Sequence, residues 1–274
     1  GTAIVPFGDD YFDTLLNNAQ QFTQNILTFG ERDVSLADAG VDMQQAKEIG
    51  LTDEDTVLLM GDVFADDVEV GNTSTFSLNF NFDIDEIESQ NVTLNFAGEH
   101  NISNALAAAA CAQALGLSID DIAKGLDAAK PAKGRLNFIE FGRHTLIDDT
   151  YNANPSAVIA ATQVLVSQGA PTLLVLGDIG ELGDAAQEEH RKLGEAIAAS
   201  GVTVLYTVGE LTPVTVAQAQ ASGMQAQAYP DKATLLAAIK DKLTSSDDAW
   251  HILFKGSRYM RMEQIIDELT RQPF

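Results

Sequence analysis

The chain has 274 residues, 45% of them hydrophobic and 20% charged, with a formal net charge of −24. That length exceeds the ~100–200 residues of an ordinary single domain, so two domains with real cores are expected. The acid excess argues against nucleic-acid partners and anionic membrane surfaces, which need clustered Lys and Arg, and no apolar run approaches the ~20 residues that insert across a bilayer.

The charge is uneven. Residues 1–134 hold 23 acids and 5 bases, whereas residues 135–274 hold 17 and 11. Sixteen of the acids lie in 31–88 against Arg32 and Lys47, which reads as a solvated, partly irregular face rather than a metal site. The opening "GTAIVPFGDD" has no signal-peptide pattern, and the single Cys111 cannot form an internal disulfide; both fit a reducing, cytoplasmic setting.

In chain order, "TAIVP" (2–6) and "NILTFG" (25–30) read as strands flanking a helix over 9–20. "TFSLNFNF" (75–82) and "NVTLNFAG" (91–98) alternate like antiparallel strands around an acidic turn. Helices follow over 101–116 and 118–129, and "KPAKG" (130–134) punctuates the chain like a linker. A hairpin over 137–151 leads into apolar runs at 171–178, 202–209, 224–230 and 249–256. These alternate with helical stretches at 184–200, 212–222 and 232–243, and a last helix spans 260–271. Such alternation means βαβ units and a mostly parallel sheet, with ligands at the carboxyl ends of its strands.

Five short stretches carry candidate chemistry. "GEHNISNALAAAA" puts Asn101 and Asn104 on one helix face, either to read an adenine edge, since a carboxamide donates and accepts at once, or with Asn101 as a cap. His100 reads as a capping or packing residue. In "KGRLN", Arg135 is suited to a phosphate or to plain solvent. "IDDTYNANP" crowds Asp148, Asp149, Tyr151, Asn152 and Asn154 where a strand meets a helix; capping by Asn154 or Asp149 accounts for one or two of them, not all five. "LGDIGELG" (176–183) and "KGSR" (255–258) fall on the same rim of strand ends. No Gly-Lys dipeptide occurs, so no G-x-x-x-x-G-K-[ST] phosphate loop exists in these residues, and no Cys or His spacing suits a metal.

Taken together and in this order, "HNISNALAAAA", "GRLNFIEFGRHTLIDDTYNANPSA", "VLGDIGELGDAAQEEH" and "KGSRYMRME" resemble the signatures of the Mur ligases of peptidoglycan synthesis. The "YNANP" form resembles the member that adds D-Ala-D-Ala. The resemblance covers residues from about 91 to 274; 1–30 resemble the middle of the family's ATPase domain, and 31–90 match loosely. It implies an α/β fold in two parts. Residues 1–134 would be the C-terminal part of the ATPase (central) domain, without its phosphate loop, and 135–274 a Rossmann-like C-terminal ligase domain with a mostly parallel sheet.

The activity implied is ATP-dependent amide-bond ligation in the bacterial cytoplasm. The carboxylate of UDP-MurNAc-tripeptide is activated as an acyl phosphate, and the amine of D-Ala-D-Ala displaces phosphate. Carried over by position, Asn101 and Asn104 would read adenine, Arg135 would meet the phosphates, and Asp149 would face the ribose; Arg135 and Asp149 are the catalytic candidates. Tyr151, Asn152 and Asn154 would line the junction of nucleotide and acceptor, and Asp178, Glu181, Lys255, Ser257 and Arg258 would receive the incoming amine.

ATP and Mg2+ are the implied cofactors. The family's phosphate loop, magnesium-binding carboxylate and histidine, and carbamoylated lysine have no counterpart in these residues, so no metal ligand is assigned. The expectation is therefore a truncated, inactive fragment, with an exposed sheet edge at strand 2–6 through which copies self-associate, readable by light scattering. Two rival readings are a non-catalytic module for an adenine nucleotide or a peptide, and a related amide ligase such as a folylpolyglutamate synthase. "YNANP" opposes the latter by resemblance.

Overall fold

The computed structural model describes residues 1–35, 52, 56–83, 86–169, 171–245 and 247–271. The chain divides into two units, Gly1–Lys130 and Pro131–Phe274. The division falls four residues before the expected boundary, because the turn after Pro131 bonds to its own unit: Arg135 N–H donates to Ala132 O and Tyr151 N–H to Gly134 O.

In the first unit, β1 (Ala3–Pro6), α1 (Phe12–Gln20) and β2 (Ile26–Phe29) form a parallel βαβ start. Strands β3 (Glu31–Ser35) and β4 (Thr56–Met60) pair with each other as an antiparallel ribbon. β5 (Val63–Glu69), β6 (Ser74–Asp83) and β7 (Glu86–Leu94) complete a five-stranded sheet of order β1-β2-β5-β6-β7. β1 is an edge strand of that sheet.

Phe76, Leu78 and Phe80 alternate onto one face of β6, where Val63, Val92 and Leu94 join them. The helices α2 (His100–Ala114) and α3 (Ile119–Ala128) close this core with Ile102, Leu106, Ile122 and Leu126. Ala109 and Ala110 are fully buried in α2, where their small side chains let it lie close to the sheet. Ser118 caps α3 by accepting from Asp121 N–H, and acids in the first turn suit its dipole.

The described part of 31–88 corrects the expectation of an irregular face. β3, β4 and β5 are regular strands: acids interrupt the apolar pattern of β3 and β5, while β4 is a short apolar run, "TVLLM", and β5 slips register between Asp66 and Glu69, where Asp67 takes φ 51. The remainder of that acidic stretch lies outside the described residues.

In the second unit, β8 (Asn137–Phe141) and β9 (His144–Asp149) make the expected hairpin. Then follow α4 (Pro155–Ser167), β10 (Thr172–Gly177), α5 (Ala186–Ala199), β11 (Val204–Val208), α6 (Thr212–Ala221), β12 (Gln225–Tyr229), α7 (Lys232–Thr244), β13 (His251–Lys255) and α8 (Glu263–Arg271). The strand order is β12-β11-β10-β13-β9-β8, parallel throughout except for β8.

The central strands "TLLVLG", "VLYTV" and "HILFK" are buried almost throughout, so they read as continuous apolar runs rather than alternating ones. Leu173, Val175, Tyr206, Ile252 and Phe254 face α7 and α8 through Leu235, Ile239, Ile265 and Leu269. The alternate residues face α4, α5 and α6, so the sheet is wound on both faces. The last helix begins at Glu263 rather than at 260, because Arg261 adopts a left-handed conformation (φ 47) and ends a short 3-10 turn over Arg258–Met260.

His144 is buried, and its Nδ1 accepts the Trp250 N–H at 3.1 Å, so the neutral ring is the bonded form. Burial, then the charge of Arg143, lowers its pKa, and burial lowers that of His251. A folded pKa below the unfolded ~6.5 means that the unfolded chain binds more protons, so stability is present above ~6.5 and is lost on acidification. The urea midpoint followed by Trp250, the sole tryptophan, is therefore expected to hold level from pH 8 to 7 and to fall from pH 6.5 towards 5. A midpoint that rises on acidification would contradict this.

Candidate functional site

β10 feeds a helix on one face of the second unit's sheet, while its neighbour β13 feeds α8 on the other. Their carboxyl ends therefore flank a switch point, where doubly wound sheets take their ligands. The backbones meet closely there: a Cβ on Gly256 would sit 3.1 Å from Gly177 Cα and 2.9 Å from Met262 Cγ. Only glycine lets the two turns after β10 and β13 come together.

Register brings Asp149 at the end of β9 opposite Lys255 at the end of β13. Both are buried, and Lys255 Nζ lies 2.5 Å from Asp149 Oδ2 while also donating to Asn152 O at 3.0 Å. The other carboxylate oxygen of Asp149 accepts the Leu136 N–H at 3.2 Å. These two residues, expected to meet ribose and amine separately, thus bond to each other and tie two loops together.

The crowded turn after β9 divides its labour. Asn154 caps α4, accepting from Ala157 N–H at 2.7 Å ahead of Pro155 in the first turn, and Asp149 takes no part in capping. Asp148 folds back onto Thr150, accepting from its hydroxyl at 2.6 Å. Asn152 Oδ1 accepts the Arg258 N–H at 3.4 Å, and Tyr151 lies half exposed beneath the Arg135 guanidinium, 4.5 Å from its ring centre. Arg135 is thus oriented by the ring while it stays exposed to solvent.

The loop after β10 is bound just as firmly. Asp178 is buried and accepts three backbone N–H groups at the start of α6: Glu210 at 2.7 Å, Leu211 at 3.0 Å and Thr212 at 2.9 Å. Gly209, with φ 149, leaves room for it, since a Cβ there would lie 2.2 Å from Asp178 Oδ1. Ser257 joins the loops: its hydroxyl accepts Gly180 N–H at 2.8 Å and donates to Ala153 O at 3.4 Å, while its own N–H reaches Asp178 O at 3.0 Å. Glu181 is exposed in a left-handed conformation (φ 64), and Arg258 pairs with Glu263 at 3.0 Å. The ring of Tyr259 lies against Gly180, and burial, then the charges of Asp178 and Glu210, raises its pKa.

One residue stands at the end of the motif "VLGDIGELGDAAQEEH" without an expected role. His190 is fully buried on α5; its Nδ1 is 2.8 Å from Ala186 O, and its Nε2 accepts the Ile179 N–H at 3.3 Å. The available signal was its place on the inward stripe with Leu193, Gly194 and Ile197.

In the first unit, Asn101 caps nothing: α2 has Glu99 at its N-cap, and the Asn101 amide donates to Ala97 O at 2.8 Å. Asn104 is exposed and donates to Asn101 Oδ1 at 3.2 Å, so the two carboxamides orient each other. A separate cavity of about 420 Å³ lies beside the same helix, lined by Gly8, Phe29, Glu31, Glu99 and Ile102 among others. Among the described residues, no three His, Cys, Asp or Glu side chains group so as to hold a metal ion. The described residues thus offer magnesium no ready cluster of carboxylates. No described helix is long and apolar enough to cross a membrane.

Residues 1–112 match the Mur ligase middle domain, and residues 134–258 match the Mur ligase, glutamate ligase domain. The chain belongs to the Mur ligase family. Among curated Mur ligases, the UDP-N-acetylmuramoyl-tripeptide–D-alanyl-D-alanine ligase of Escherichia coli is 38% identical over 182 residues, 66% of this chain and 39% of that protein. The Bacillus subtilis enzyme of the same name is 35% identical over 182 residues, 64% of this chain and 39% of its own length. A crystal structure of MurF from Acinetobacter baumannii superposes with a TM-score of 0.80 at 36% identity, covering 99% of this chain and 52% of that one. A Thermotoga maritima MurF ligase in complex with ADP shares the fold at 21% identity, with a TM-score of 0.68 over 99% of this chain and 53% of that one. The chain thus spans about two-fifths of the curated relatives it matches and half of the solved ones.

Proposed function

We propose that this Mur ligase chain carries the nucleotide- and acceptor-facing parts of an ATP-dependent ligase that joins D-Ala-D-Ala to UDP-MurNAc-tripeptide through an acyl phosphate. The observation that carries the reading is the joined rim in the second unit: three loops at neighbouring strand ends, with Tyr151 and Arg258 exposed on them and Arg135, from the turn before β8, lying over the Tyr151 ring. Likeness to the two D-alanyl-D-alanine ligases supports the acceptor, and the ADP in the Thermotoga relative supports the nucleotide.

In this proposal Asn101 and Asn104 read adenine and Arg135 meets the phosphates, with Tyr151 holding its guanidinium ready. Asn152, Glu181 and Arg258 meet the incoming amine component. Asp149, Lys255, Asp178, Ser257 and Asn154 hold the loops that present them, since each is already bonded within the protein.

Because these 274 residues contain no phosphate loop, they are expected to release no phosphate from ATP by themselves. Fused to the part of the Escherichia coli relative that lies outside the match, they are expected to release phosphate only when D-Ala-D-Ala and UDP-MurNAc-tripeptide are both present. A folded, ATP-binding chimera that forms no amide with D-Ala-D-Ala overturns the reading of the acceptor. Phosphate release by the 274 residues alone overturns the expectation of inactivity.

A further inference from the structure

We propose that His190 is the positioning residue of the acceptor rim, holding the 178–181 turn in place by accepting the Ile179 N–H; the link to the acceptor rests on the function proposed above.

The chemistry of the partners dictates the tautomer. Ala186 O can only accept, so Nδ1 carries the proton; Ile179 N–H can only donate, so Nε2 is the acceptor. The imidazole is therefore neutral, fully buried and bonded at both nitrogens. Nδ1 is anchored one turn back on its own helix, which leaves Nε2 facing the turn after β10 and fixes the Ile179 amide.

From that point the contacts run outward. Gly180 N–H is the next amide along, and it donates to Ser257 Oγ at 2.8 Å. Ser257 in turn reaches Ala153 O in the turn after β9 and Asp178 O behind the same loop. One ring thus sets the turn on which Glu181 stands and steadies its join to the other two loops. Its own helix carries Glu188, Glu189 and Arg191 beside it in sequence, and the segment it contacts carries Asp178, Glu181 and Asp184, with Tyr259 against Gly180. The helices α4 and α6, which pack against α5, carry no ionisable side chain.

A role in the core alone would need the volume of the ring but not its acceptor nitrogen, and variants separate the two. In the present chain, long-range 1H–15N spectra at pH 7.5 are expected to show His190 as the Nδ1–H tautomer; an Nε2–H tautomer overturns the proposal. H190F keeps the bulk without an acceptor, and its Ile179 and Gly180 amides are expected to exchange at least ~10-fold faster than in the parent. H190Q, whose amide oxygen reaches about as far as Nε2, is expected to restore protection to within ~3-fold. Parent-like protection in H190F, or exposure in H190Q as large as in H190F, overturns the proposal. Should H190F fail to fold, the tautomer and H190Q still decide it.

Titration with D-Ala-D-Ala is expected to show binding weakened at least ~10-fold in H190F and recovered in H190Q, and unchanged affinity in H190F overturns the proposal. If the parent binds no dipeptide at all, the acceptor reading falls, while the tautomer and exchange results still decide whether His190 holds the turn.

Discussion

K255A is expected to destabilise the second unit by about 3–5 kcal/mol, because it strands the Asp149 carboxylate in the interior with a single backbone N–H for company. Ordinary domains hold only ~5–15 kcal/mol in total, so this one truncation removes a large share of what keeps the unit folded. The double variant D149L/K255M, which replaces both charges with apolar groups of similar volume, is expected to lie within about 1–2 kcal/mol of the parent. That contrast separates the cost of an unpaired buried charge from the net worth of the pair. Urea unfolding followed by Trp250 fluorescence reads it directly, since the tryptophan is buried in this unit. A K255A midpoint equal to the parent's would mean that the two groups are solvated in practice.

D178A comes second, at about 2–4 kcal/mol. It removes the acceptor of three backbone N–H groups, and bonds to an ionised group contribute about 1.5–3 kcal/mol each. The sum is discounted because Glu210 is exposed and water can reach its amide, whereas Thr212 is fully buried. D178N should fall between D178A and the parent, since a carboxamide offers one oxygen where the carboxylate offers two. The same urea measurement checks it, and a D178N loss as large as that of D178A would show that the charge, rather than the acceptor count, sets the cost. Either result bears on the site, because Asp178 spends its oxygens on α6 and so shapes the rim from behind.

Much of the second unit was legible in the sequence. Strands buried on both faces need apolar residues at every position, so "TLLVLG" and "HILFK" stand out against the amphipathic helices between them. The turn after β9 was half legible. Asn154 ahead of Pro155 is a local signal, because a cap acts within its own turn. The partner of Asp149 was not, since Lys255 lies 106 residues away and only the β9–β13 register brings them together. β3 and β5 escaped for a different reason: acids interrupt their alternation, and a slip in register breaks it again in β5.

By itself, then, the sequence determined the order of the elements, the parallel sheet of the second half, the cap at Asn154 and the likeness to Mur ligases. These follow from periodicities and short motifs that act over a few residues. Only the tertiary structure decided that Asp149 and Lys255 pair with each other, that Asp178 turns inward onto α6, and that His190 accepts the Ile179 N–H of the turn after β10. Each of those depends on which strand lies beside which, and the free energy of burying a charge or an amide is set by neighbours distant in the chain.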